Sequence, residues 1–432
     1  MIVNFTVENF RSINEPITLS FEPLGKDNYP EYYIYKTHSG LEVLKLAIIY
    51  GANATGKTNI LRALDFLKKI ATQPKISRDE KIEFSPFLFT DSRKNTKFEI
   101  EFIQNDLRYI YSIELNNSQI IKEKLAAYFS RKSSNIFERQ TLENGTVQIK
   151  FGNKIKVNKV DKEIIEGNTL PNITTLAGIL RTSIRIREID SAIRWFGRTL
   201  KPIIEPRIDL TGWGLEQIEK KEVDKGKVIE ILKNADFGIY DLIVEKEKPD
   251  KEDVKFLAML LKNFEKKDGN IDLDFIEKTI EKIELFFEHR VENKSYKLPY
   301  GEESAGTQRF YQLAIVLSLL LEKNLIFPID EIESSLHPDL IKHFLKVFLF
   351  NTKGRPAQLI LTTHYRELLQ EKDLIRKDVI WFTEKKKDLS TDLYSLADFK
   401  TDKLRKEHSI YNAYKMGKLG AVPYVKTYRV EE

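Results

Sequence analysis

The stretch AIIYGANATGKTNILRAL, residues 47–64, constrains this chain more than any other, because Gly51, Gly56, Lys57 and Thr58 fit G-x-x-x-x-G-K-[ST]. A motif this short needs the right surroundings. Before it, VLKLAIIY is short and rich in β-branched residues, as a buried parallel strand should be. After it, Ile60, Leu61, Leu64 and Leu67 recur at helical spacing. A loop between such elements turns successive backbone N–H groups and a helix N-terminus toward one anion. In that reading Lys57 reaches the β- and γ-phosphates of a nucleotide and the Thr58 hydroxyl ligates Mg²⁺. Asn53, Thr55 and Asn59 belong to the same candidate nucleotide-binding loop. The competing reading is a chance turn with Lys57 in water.

A phosphate loop needs an acidic partner for its metal, and NLIFPIDE, residues 324–331, supplies an apolar run ending in two carboxylates. A strand there places Asp330 and Glu331 at the C-terminal edge of a parallel sheet, where α/β ligands bind. Asp330 is the candidate for holding Mg²⁺ and Glu331 for polarising an attacking water; alone, such a pair can equally be a helix cap. Pro328 has no N–H for a central ladder, so a bulge or an unpaired position is expected there. ESAGTQR, with Ser304 and Gly306, precedes a long apolar helix and resembles another helix N-terminus prepared for phosphate. His364 follows the apolar run in AQLILTTH, a third strand end with a group able to transfer protons.

In this order the parts resemble an ABC-type ATPase head of the branch containing RecF, SMC and OLD proteins, and most of all the compact prokaryotic AAA/ABC-like ATPases of abortive-infection and other phage-defence operons. VENFRSINEPITLSF is similar to the opening strand of that group, GANATGKTN to its Walker A, ESAGTQR to a degenerate signature, LIFPIDEIESSLHP to Walker B with the D-loop, and LILTTH to the histidine switch. DVIWFTEKKKDLSTDLYSLADFK followed by AVPYV also looks like the group's C-terminal part. The resemblance implies an α/β P-loop NTPase fold, an ABC-type head with an antiparallel β subdomain and a mostly helical insertion. It implies ATP and Mg²⁺ as cofactors and two heads closing on each ATP as a homodimer or higher oligomer. Ser304 and Gly306 would then meet the γ-phosphate in trans, while Glu331 and His364, with Lys57, act in cis. Arg11 matches a basic residue near the nucleotide in related heads. Three departures stand out: Ala305 occupies a usual glycine position, as does Ala54, and no Q-loop glutamine is evident, FSPFLF around Pro86 standing where one could sit.

The middle of the chain has its own pattern. KFEIEFIQNDLRYIYSIELNN alternates around Asn105 and Asp106, a hairpin signal, and TVQIKFGNKIKV continues the sheet. Helical patterns follow at residues 173–200, 224–234, 253–266 and 272–288, with Asp253 and Asp272 as N-terminal residues. The expected division is 1–165 for an N-terminal ATPase lobe, 166–292 for a mostly helical insertion and 293–432 for a C-terminal lobe. No sustained heptads argue for a long coiled-coil arm, and the 68 residues after His364 are too few for an OLD-type nuclease.

Composition limits the function classes. With 70 basic and 65 acidic residues, the net charge of +5 gives little general attraction to nucleic acid. Locally, seven cations between Arg181 and Arg207 outnumber three acids, with Trp195 and Phe196 among them, a pattern that could hold nucleic acid or could be one solvated helix face. The absence of cysteine removes thiolate chemistry. With no signal-like or membrane-length apolar run, a soluble cytoplasmic protein without a membrane role is expected. The expected function is a sensor or scaffold ATPase of an anti-phage system acting on a separate effector chain. A RecF-like DNA repair ATPase is the alternative, and a transporter ATPase subunit fits the N-terminal strand less well.

Overall fold

The computed structural model describes residues 1–24, 30–90, 94–235, 237–248, 254, 259, 282–292, 294–371, 374–399 and 409–422. The chain forms two compact units. The first gathers residues 1–208, 320–334 and 341–432, and the second residues 209–319 and 335–340. The three segments expected from the sequence follow chain order, whereas the compact units are interleaved along it.

In chain order the first unit carries β1 (Ile2–Glu8), β2 (Ile17–Ser20), β3 (Ile34–Lys36), β4 (Glu42–Leu44), β5 (Leu46–Gly51), β6 (Thr96–Gln104), β7 (Leu107–Leu115), β8 (Ile120–Ala127), β9 (Ser134–Thr141) and β10 (Val147–Phe151). Strands β6 to β10 join β1 and β2 in an antiparallel sheet of order β10-β9-β8-β7-β6-β1-β2. Its alternating sequence buries one face, as with Phe98, Ile100 and Phe102 on β6. The β6–β7 turn is the two-residue one expected: Asn105 and Asp106 have φ of 51° and 58°, and Gln104 pairs with Leu107. Both residue types tolerate the left-handed region, and a turn of that hand matches the twist of the flanking strands.

The helix expected within residues 173–200 includes Thr175–Ile179 and Arg187–Arg194, and it corrects the basic-aromatic reading. Trp195 and Phe196 are fully buried, with Trp195 stacked on Phe102 at 4.2 Å between ring centres and Phe196 against Tyr111. These rings are core for the antiparallel sheet and offer no face to a nucleobase. Arg185, Arg187, Arg194 and Arg198 are exposed, so the stretch is a cationic surface above an aromatic core.

The second unit contains β11 (Ile239–Glu247), β12 (Lys282–Val291) and β13 (Lys294–Pro299) as an antiparallel sheet, together with the helices Thr211–Glu219 and Lys225–Asn234. The latter starts where expected: the Asp224 carboxylate accepts the Gly226 N–H as its cap. The helix expected over 272–288 is corrected at its end, because residues 282–288 belong to β12. There Leu285 and Phe287 pair with β11 on a buried face, and cross-strand packing overrides helical spacing. Residues 272–281, and nearly all of 253–266, lie outside the described residues, as do Asp253 and Asp272.

The first unit also holds β14 (Ile326–Ile329), β15 (Gln358–Thr363), β16 (Ile380–Lys385) and β17 (Thr391–Ser395). They flank β5 in the order β14-β15-β5-β16-β17, with the first four parallel and β17 antiparallel. Every residue of β5, β14 and β15 is buried, which is why these strands read as continuous apolar runs. Pro328 keeps regular register with Ile360 on β15. Its missing N–H falls on the opposite side, where the Pro328 carbonyl accepts the Ile204 N–H and residues 200–204 make only isolated bridges. The expected bulge is absent from the β14–β15 ladder, and the unpaired position lies at its outer edge.

Candidate functional site

The C-terminal edge of the parallel sheet gathers groups that are far apart in sequence. Between β5 and the Lys57–Thr72 helix, the loop reverses through Ala54 at φ 64° and Gly56 at φ 104°. The second value suits glycine only, and a Cβ on Gly56 would collide with the Thr391 hydroxyl. Ala54 stands in the left-handed region without glycine's freedom, a local strain. A Cβ on Gly51 would collide with Thr383.

Hydroxyl groups brace this loop from behind. Thr55 Oγ1 lies 2.7 Å from Thr383 Oγ1, and Thr391 Oγ1 donates to the Thr55 carbonyl at 2.8 Å. Ser12 Oγ lies 2.7 Å from Thr391 Oγ1 and accepts from the Asn59 amide at 2.7 Å. Asn53 is exposed at the loop tip. No side chain caps the helix at Gly56, so its N-terminal amides, which no helical turn can satisfy, are left for a ligand.

Lys57 is buried and folded back over the loop. Its ammonium donates to the carbonyls of Gly51 at 2.9 Å and Ala52 at 3.2 Å and lies 3.0 Å from His364 Nε2. Burial pulls the Lys57 pKa down, while Glu331, Asp330 and Glu333 pull it up. Asp330, just past β14, is also buried, and burial raises its pKa against the hydrogen bonds from Thr362 and Thr58. Thr58 Oγ1 donates to its carboxylate at 2.9 and 3.2 Å. Glu331 adopts φ 45°, and its carboxylate lies 3.7 Å from His364 Nε2.

Two residues missed in the sequence hold this arrangement. Thr362, near the end of β15, donates to Asp330 Oδ1 at 2.6 Å and accepts the Glu331 backbone N–H at 2.8 Å, so one hydroxyl fixes the Asp330 carboxylate and the Glu331 backbone. Glu333 accepts the His364 N–H. Their signals were the first threonine of LTTH and the second glutamate of DEIE, each overshadowed by a more familiar neighbour.

The remaining candidates sit elsewhere. Arg11, at φ 52°, donates its N–H to the Ser85 carbonyl at 2.7 Å; its guanidinium is in the field of Arg62 and Glu205. Ser304 and Gly306 belong to the second unit, at the start of the Ala305–Glu322 helix. Ser304 is exposed, and its hydroxyl accepts the Thr307 N–H at 3.1 Å.

The donor set fits a small divalent cation beside a phosphate chain. Thr58 and Asp330 supply hard oxygen ligands at the mouth of an uncapped helix N-terminus, as suits Mg²⁺. Among the described residues no group of three or more His, Asp or Glu side chains could form an all-protein cage. Mg²⁺ ordinarily takes the rest of its ligands from water and phosphate, so such a cage is not required.

The fold and this corner define a P-loop NTPase of the α/β class. A family model described as "AAA domain, putative AbiEii toxin, Type IV TA system" matches residues 46–370, well over half of the chain, and the protein belongs to that family. The resemblance to the AAA/ABC-like ATPases of abortive-infection operons agrees with this membership. Among solved structures, the chain is similar to an SMC head bound to the C-winged helix domain of ScpA, with 14% identity over 91% of this chain and 97% of that one and a TM-score of 0.45. The SMC head domain from Thermotoga maritima matches with 12% identity over 91% and 98%, at a TM-score of 0.40. An SMC head with an extended coiled coil, bound to the C-terminal domain of ScpA and derived from Pyrococcus furiosus, matches with 13% identity over 94% and 98%, at 0.39. No curated protein sequence matches the chain. Among the described residues, no helix is long and apolar enough to cross a membrane.

Proposed function

We propose that this protein binds Mg–ATP at the C-terminal edge of its parallel sheet and hydrolyses it to ADP and phosphate. The observation that carries this reading is the meeting of Lys57, Thr58, Asp330, Glu331 and His364 from three separate strand ends. The helix amides and Lys57 bind the β- and γ-phosphates, Lys57 exchanging its carbonyl partners for phosphate oxygens. Thr58 and Asp330 hold Mg²⁺, which when bound neutralises charge on the phosphate oxygens. Glu331 takes a proton from the attacking water as the bond from the γ-phosphorus to the ADP oxygen breaks. His364 orients that water, its Nε2 facing both Glu331 and Lys57.

ATP bound this way serves to pair two copies, with Ser304 and Gly306 of a second chain closing on the γ-phosphate, and the pairing controls a separate effector in phage defence. The exposed, already capped Ser304 turn supports this, because it can receive a ligand without unfolding. Equilibrium ATP binding and light scattering with Glu331→Gln test the two parts separately. The variant is expected to retain ATP and accumulate as a dimer. A monomer at saturating Mg–ATP overturns the pairing, and loss of ATP binding overturns the assigned role of Glu331.

A further inference from the structure

Beside the metal corner lies an ion pair that the ATP reading does not use. Arg62 stands one helical turn after Thr58, on the same face of the Lys57–Thr72 helix. Its Nε donates to Glu205 Oε1 at 2.8 Å. Glu205 is brought there by the segment that borders β14: the Ile204 N–H donates to the Pro328 carbonyl and the Ile204 carbonyl accepts the Asp330 N–H, both at 2.9 Å. Both members feel Asp330. The Glu205 hydrogen bond chiefly holds Arg62 charged, with Asp330 adding to it, and burial chiefly raises the Asp330 pKa, with Glu205 adding to that. The two side chains are 38% and 32% exposed, so the pair contributes little to stability, and its place beside the corner is its more consequential property.

A cation bound at Thr58 and Asp330 would meet an attractive carboxylate and a repulsive guanidinium on one side. We propose that Glu205 and Arg62 are opposing positioning residues for the metal: Glu205 favours a divalent cation at Thr58–Asp330, Arg62 opposes it, and their pairing sets how much Mg²⁺ the site needs. This rests on the Mg–ATP reading.

The test titrates Mg²⁺ into the full-length protein with a fluorescent, slowly hydrolysed ATP analogue, reading binding and not turnover. Glu205→Gln is expected to raise the half-saturating Mg²⁺ by roughly three- to tenfold, and Arg62→Gln to lower it by a similar factor. The double variant is expected to return near the parent. Shifts of the same sign in both single variants, or none in either, overturn the proposal and leave the pair as a tie between the helix and residues 200–208. Melting curves without nucleotide confirm that each variant is folded. Should a Gln variant unfold, Glu205→Leu and Arg62→Met remove the charges while keeping the packing of the stems. A parent that binds no nucleotide overturns the ATP reading and this proposal with it. Parent binding that is strongly weakened by Lys57→Ala but indifferent to the pair overturns this proposal alone.

Discussion

Two helix N-termini, one in each unit, carry the residues that sequence alone marks for phosphate, and they are built in opposite ways. The Lys57–Thr72 helix begins at a left-handed Gly56 without a side-chain cap, and its first residue is a buried lysine folded onto the preceding loop. The Ala305–Glu322 helix begins at an exposed serine whose hydroxyl already takes the Thr307 N–H. The first leaves its amides without a side-chain cap beside a desolvated cation. The second is satisfied in a single chain. Similar small residues thus mark an N-terminus left without a side-chain cap and one that carries its own, and the difference lies in what surrounds the first turn.

Adding a methyl group to the first should do the most harm. Gly56→Ala combines the cost of a left-handed alanine with a collision against Thr391, about 2–5 kcal/mol together, and is expected to lower the melting temperature and abolish nucleotide binding. Lys57→Ala should leave folding intact, because the cost of burying the ammonium offsets its hydrogen bonds to the Gly51 and Ala52 carbonyls. It should weaken ATP affinity by about a hundredfold, or ~3 kcal/mol, in an equilibrium titration. Ser304→Ala removes a cap and is expected to cost about 1 kcal/mol in denaturant unfolding. It should leave the affinity of dilute single chains unchanged and slow hydrolysis only at concentrations where copies associate. If Ser304→Ala weakened binding by dilute chains as much as Lys57→Ala does, the two termini would not differ in the way described. The smallest effect falls on Ala54→Gly. Relief of the left-handed alanine is partly offset by unfolded-chain entropy, leaving a gain of roughly 0–1 kcal/mol in stability.

Much of this was legible in the sequence where neighbours in the chain are neighbours in space. The loop at Gly56 was flanked by its own strand and helix, and the Asn105–Asp106 turn joined two alternating runs, so local pattern sufficed. Asp330, Glu331 and His364 were legible because each closes an apolar run, and strands of a parallel sheet end on one edge. The partners of these residues were not. Arg62 and Glu205 are 143 positions apart and meet only because residues 200–204 border β14. Thr362 matters because β15 lies beside β14, a pairing no local window contains. The stretch Lys282–Val291 has apolar spacing open to either period, and only its partners β11 and β13 decide for a strand. Trp195 and Phe196 looked available for stacking on bases until the antiparallel sheet covered them.

The central claim is that one corner of the first unit both binds and cleaves Mg–ATP, with Glu331 drawing the proton from water. Single-turnover hydrolysis, measured alongside equilibrium binding for the parent and Glu331→Gln, tests it most directly. The expected result is unchanged affinity with cleavage slowed by about 10²–10⁴-fold. Cleavage at the parent rate by Glu331→Gln, or a parent that binds Mg–ATP without ever cleaving it, would contradict the account.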